Sequence, residues 1–161
     1  MERTLNDNDF IVSKTDLKGR ITYCNKIFME LAGYEEEELL GTPHNIVRHE
    51  KMPRAVFKLL WDRISNKEEI FAYVVNKSKN GDHYWVFANV TASVDVSGKI
   101  IGYHSVRRKP NRKAIAIIEP LYAKMLKIEK TEGLDASAQI LSDLLDEKGL
   151  SYDELIAAIQ E

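Results

Sequence analysis

Cysteine is nearly absent from this chain of 161 residues: Cys24 stands alone, so no disulfide can close within it. The solitary thiol reads as a small semi-buried residue rather than a redox group. An excess of either charge is also missing. Lys and Arg total 23 against 25 Asp and Glu, a net charge of −2. Nucleic acid is therefore not an expected partner, because phosphate neutralisation needs a concentrated basic surface. Apolar runs are only a few residues long, too short to cross a bilayer, and the polar start "MERTLNDNDF" is not that of a secretory leader. A cytoplasmic location without membrane insertion is the expectation. Internal repeats and low-complexity tracts are lacking too.

What is present is ordinary for a globular protein: 44% hydrophobic and 30% charged residues. A chain of this size buries roughly 68–70% of its unfolded surface and needs no staple. "DFIVSKTDLKGRITYCN" reads as a hairpin turning at "DLKG". Asn25 then stands as the N-cap of a short helix closed by Gly33, and "EEEELLG" gives a second. Pro53 opens a longer helix, with Val56, Phe57, Leu60, Trp61 and Ile64 as its apolar stripe and Trp61 read as core filler. Three strands follow, "IFAYVVNKS", "HYWVFANVTASV" and "IIGYHSVRR", joined by "KNGD" and "VSGK". This order predicts an α+β domain with helices over one face of an antiparallel sheet.

In the first two of those strands both faces are apolar. Ile70, Ala72 and Val74 alternate with Phe71, Tyr73 and Val75, and Trp85 and Phe87 with Tyr84, Val86 and Ala88. The second face needs a cover. The helix expected at 113–128, or a second subunit, supplies it, and Pro120 is expected to kink or restart that helix. Residues 136–160 are expected to form a small helical appendage that offers a partner a docking surface.

The stretch "PHNIVRHEKMP" concentrates chemistry between Pro43 and Pro53. His44 and His49, five apart, would lie roughly 140° apart on a helix, so they do not form a helical metal pair. Haem stays open, since one histidine can serve as proximal ligand. Phosphate-loop and Gly-x-Ser-x-Gly motifs are absent, and an enzyme is the weaker class. A cofactor pocket fits the residues better. Asn76 shares the Ile70–Ala72–Val74 face, where an amide beside an apolar strip suits a planar heterocycle, although a plain strand-end residue suits it equally. Asn25 offers a second amide or simply caps its helix. Arg48 and His49 could meet an anionic tail such as a pyrophosphate, or form a solvated basic loop.

The stretches "ITYCNKIFMELAGYEEEELLGTPHNIVRHEKMP", "VVNKSKNGDHYWVFANV" and "GKIIGYHSVRRKP" resemble a PAS domain, and among PAS domains the sensors of bacterial aerotaxis and energy-taxis transducers. The similarity runs over about residues 8–122. It implies a PAS fold with a five-stranded antiparallel sheet at 8–110 and a C-terminal helical extension at 111–161. It also implies non-covalent FAD, with Asn25, Arg48, His49 and Asn76 as the cofactor-contacting positions. The implied partner is a chemoreceptor-type signalling protein on another chain that recruits this one to the membrane, with a homodimer as a further arrangement. Departures stand at "RHEKMP", where the family has "RHPDMP", and at Ile70 and Ala72, where it has tryptophan and glycine. A haem-binding gas sensor and a cofactor-free dimerisation or interaction module are the alternatives.

Overall fold

The computed structural model describes every residue, Met1–Glu161. Strands β1 (Glu2–Arg3), β2 (Phe10–Thr15) and β3 (Ile21–Cys24) precede helices α1 (Lys26–Ala32) and α2 (Glu36–Leu39), a 3-10 turn (His44–Val47) and helix α3 (Arg54–Ser65). Strands β4 (Ile70–Lys77), β5 (His83–Val94) and β6 (Ile100–Arg108) follow, and helices α4 (Arg112–Glu132), α5 (Leu134–Lys148) and α6 (Tyr152–Gln160) complete the chain.

Five strands pair antiparallel in the order β4-β5-β6-β2-β3, which is the expected α+β arrangement. The short β1 adds a sixth, parallel to the start of β5, and makes the sheet mixed. The β2–β3 hairpin closes because the Asp16 carboxylate accepts from the backbone N–H groups of Lys18 and Arg20, with Gly19 at φ 80°. In β6, Gly102 is forced by packing: a Cβ there would overlap the Thr15 carbonyl oxygen on β2.

Both faces of β4 and β5 are apolar because both are covered. Val74, Asn76 and Ala88 turn toward α3, while Tyr73, Val75, Trp85 and Phe87 turn toward the C-terminal helices and are buried. Tyr122 on α4 packs on Trp85 (6.0 Å between ring centroids), so the helix after the last strand covers the second face as its stripe predicts. Pro120 does not break α4. It sits on the exposed side, where the carbonyl it leaves free meets water, while Ile115, Ile118, Tyr122 and Met125 anchor the opposite side. The last helices are not an appendage. Tyr152 and Ile156 of α6 belong to the main core, because the outer sheet face is too wide for α4 alone.

The free edge of β4 is sealed along its length. Tyr152 Oη donates to the Phe71 carbonyl (2.8 Å) and Tyr122 Oη to the Tyr73 carbonyl (2.7 Å). Val75 N–H points at the Met52 sulfur (3.4 Å), and Arg48 forms a single antiparallel bridge with Asn76. An edge strand finished in this way has no row of open groups for a stray strand to pair with.

Candidate functional site

The inner sheet face and α3 do not close on each other completely. Between them lies a cavity of about 330 Å³. Its walls are Val74, Ala88 and Val90 from the sheet and Phe57, Leu60 and Ile64 from α3, with Trp61 and Tyr103 also lining it. This explains the exposure of Trp61 (43%), which contradicts its reading as core filler: its ring stacks edge-on against Tyr103 (5.2 Å) and touches Gly19 rather than filling the core. An apolar stripe at helical spacing looks the same in sequence whether it packs on side chains or on a void.

The polar part of the cavity comes from three strands and the 3-10 turn. Arg107 on β6 is 3% exposed. Its Nη2 donates to Ser13 Oγ on β2 (2.8 Å) and its Nη1 to His44 Nε2 (3.2 Å). Its Nε, also buried, has no partner, and the guanidinium lies over the Phe28 ring, 4.8 Å from its centroid. Burial lowers its pKa to about 10, which still leaves it cationic at neutral pH. No carboxylate compensates it. Burying a charge without a counter-charge is costly, so such a group marks a place where a ligand supplies electron density.

Arg107 also fixes the state of His44. A guanidinium only donates, so Nε2 is the acceptor and the imidazole proton sits on Nδ1. Ser13 Oγ completes the triangle, 3.0 Å from the same nitrogen. Burial first, and then the adjacent Arg107 cation, push the His44 pKa down to about 3, so the ring is neutral. Across the cavity Asn76 is 4% exposed and presents its amide from β4 beside Val74. Its cross-strand neighbour Tyr84 has its pKa pushed up to about 12, chiefly by burial, and remains a neutral hydroxyl.

The four expected site residues separate into two pairs. Arg48 and Asn76 both line the cavity and are bridged to each other, with the Arg48 guanidinium over the Phe57 ring at 4.6 Å. Asn25 and His49 lie outside its wall. The Asn25 side chain accepts from the N–H groups of Val12 (3.1 Å) and Phe28 (3.2 Å) and donates to the Phe10 carbonyl (2.8 Å), tying β2 to α1. His49 Nδ1 accepts from Lys51 N–H (3.0 Å), and its ring meets His83 at 5.8 Å. Burial holds its pKa below the usual histidine value. Ser13 and Arg107 are not found by reading one stretch at a time. Period two on β6 does group Tyr103, Ser105 and Arg107, and a lone arginine on an inward face was the available signal.

A model described as the PAS fold matches residues 1–108. The aerotaxis receptor of Escherichia coli (strain K12) is 45% identical over 118 residues, which are 73% of this chain and 23% of the receptor. The chain thus spans less than a quarter of that relative's length. Among solved structures, the light state of the blue-light photoreceptor Aureochrome1 LOV is 25% identical with a TM-score of 0.58, covering 74% of this chain and 90% of that one. A light-oxygen-voltage domain described with a flavin analogue reaches 0.59 at 22% identity, covering 76% and 87%.

Proposed function

This chain belongs to the PAS fold family, and from that premise we propose that its cavity holds FAD non-covalently and that the protein reports redox state to a chemoreceptor-type signalling protein on another chain. The observation that carries this reading is the buried, carboxylate-free Arg107 facing an apolar slot that also presents the Asn76 amide. The slot's size lies at the lower end of the roughly 300–1,000 Å³ typical of small-molecule sites. The likeness to the aerotaxis receptor and to light-oxygen-voltage domains supports a flavin.

A flavin held there would supply reversible reduction, with a ring-edge nitrogen that accepts a hydrogen bond when oxidised and donates one when reduced. Each residue then has a defined task. Val74, Ala88, Phe57 and Leu60 give apolar walls to a planar ring and exclude water. Arg107 holds a fixed positive charge at the cavity's inner end, oriented by Ser13 and His44. Asn76 carries donor and acceptor on one amide, so a half-turn of its terminal torsion suits either state of a ring edge. Arg48, which lines the cavity, would hold an anionic tail of the cofactor. Asn25 and His49 act at one remove, by holding the β2–α1 junction and the turn at 49–51.

Rotation of the Asn76 amide would strain β4, whose edge just before Asn76 is held in turn by Met52 at Val75, Tyr122 at Tyr73 and Tyr152 at Phe71. That strand is the proposed route from cavity to outer surface. Haem fits less well. Its iron would need a free imidazole nitrogen on the inner sheet face, where His44 Nε2 already accepts from Arg107, which leaves His104 on β6 as the one other histidine lining the cavity.

The test is the purified protein's absorption spectrum, with the released cofactor identified by chromatography against FMN and riboflavin. A flavin spectrum and FAD are expected. Colourless protein after refolding with FAD would favour a cofactor-free interaction module, and a Soret band would favour haem. Replacing Asn76 by Leu should shift the redox midpoint or release the flavin. A folded variant with an unchanged midpoint removes Asn76 from the site.

A further inference from the structure

Arg48 and Asn45 belong to the walls of two hollows, not one. Behind them, away from the sheet, a second and more open hollow of about 480 Å³ lies between the start of α3 and the end of α4. Arg54 and Lys130 line it, and so does Glu129. Glu129 is unusual. Its Oε1 accepts from Ala55 N–H in the first turn of α3 (3.1 Å), which fixes the carboxylate in place. Its Oε2 is buried with no hydrogen-bond partner, although Arg48, Arg54 and Lys130 share the hollow, together with the exposed Glu50 carboxylate. A buried carboxylate oxygen with nothing to accept from is costly, and its natural complement is a neutral donor such as a hydroxyl.

We propose that this second hollow is the nucleoside subsite of a dinucleotide cofactor whose ring system occupies the first cavity. The diphosphate crosses the shared wall at Arg48, with Arg54 and Lys130 on its far side, and the ribose diol donates to Glu129 Oε2. The proposal rests on the flavin reading of the first cavity and deepens it. The first cavity, at about 330 Å³, has room for a ring system but not for a whole dinucleotide. Arg48 is the one cation that lines both spaces. Two consequences are specific to this chain. Preference for a dinucleotide over a mononucleotide is set by α4, which lies after the last strand and beyond the residues matched to the family. Helix α4 also joins the ligand directly to the cover of the outer sheet face.

The experiment titrates the full-length apoprotein with FAD, FMN and riboflavin, following quenching of flavin fluorescence, for wild type, Glu129→Gln and Lys130→Ala. Glutamine keeps an oxygen for Ala55 N–H, so α3 stays anchored, and Lys130 is exposed and makes no ion pair. Circular dichroism melts confirm that each variant is folded. FAD is expected to bind wild type at least tenfold more tightly than FMN. Glu129→Gln should weaken FAD three- to tenfold and Lys130→Ala two- to fivefold, with riboflavin unchanged in both. Equal affinity for FAD and FMN in wild type, or variants that leave FAD untouched, overturns the subsite while the flavin reading stands. Variants that weaken all three flavins alike show a structural role only and also overturn it. Binding of none of the three overturns the reading of the first cavity, and the subsite with it.

Discussion

Arg107 and His44 form a small electrostatic device. Burial, reinforced by the guanidinium, keeps the imidazole neutral, and the imidazole and Ser13 keep the guanidinium aimed. The arrangement makes the fold sensitive to acid. His44 titrates near 6.5 when unfolded but near 3 when folded. Between those values the unfolded chain binds a proton that the native one refuses, so stability falls as pH drops through the window. The slope contributed by this single group is at most about 1.4 kcal/mol per pH unit. Urea midpoints measured from pH 7 to pH 4 should therefore fall more steeply in wild type than in His44→Gln. Glutamine keeps an acceptor for Arg107 but takes up no proton. Parallel slopes would mean that His44 is not the buried neutral ring described above.

At the scale of elements, β4 is the piece that touches everything. Its inner face lines the cavity, its outer face carries α4 and α6, and its edge is closed by two tyrosine hydroxyls and Met52. Losing one such buried hydroxyl donor costs about 1 kcal/mol. Tyr122→Phe should lower the unfolding free energy by about that amount and speed hydrogen exchange at β4. Exchange unchanged at β4 would show that the edge is held by other contacts. Removing residues 113–161 is a harsher test. It uncovers Trp85 and Phe87, and the shortened protein should aggregate or change its mass in light scattering. A soluble product of unchanged association state would contradict the packing of α4 on that face. Part of this was legible in the sequence. A doubly apolar β4 and β5 demand two covers, and the stripe Ile115, Ile118, Tyr122, Met125 offers one. The facing of Asn76 was legible from period two along β4, while Arg48 was singled out only by its charged stretch and the family resemblance; both line the cavity. Ser13 and Arg107 lie far apart in the chain and meet only through the β2–β6 register, which no local pattern reveals. Trp61 was misread because periodicity reports which face of a helix is apolar, not whether a side chain or a void lies opposite. Glu129 escaped notice because its meaning depends on α4 reaching the start of α3.

At the scale of the whole molecule, the sheet lies between two layers that a ligand and a partner could each influence. The inner layer is α3 and the cavity, and the outer is the C-terminal helical cover. Helix α4 belongs to both, since its middle packs on Trp85 while Glu129 near its end holds α3. A change at Asn76 therefore has a short physical path outward through β4, and a change in α4 has an equally short path back. Coupling of this kind is reciprocal: whatever binds the outer helices in a redox-dependent way must shift the redox midpoint in return. The whole account depends on Arg107 being a cation kept for a ligand. Its cost to the fold without ligand and its value with ligand should separate in one variant. The decisive measurement is a titration of apoprotein with FAD, wild type against Arg107→Met, paired with melting temperatures of the two apoproteins. One FAD per chain in wild type is expected, with at least tenfold weaker binding in the variant (about 1.4 kcal/mol). The variant's apoprotein should melt no lower than wild type, because methionine removes an uncompensated buried charge. Undiminished FAD binding by Arg107→Met, or none by wild type, would contradict the account.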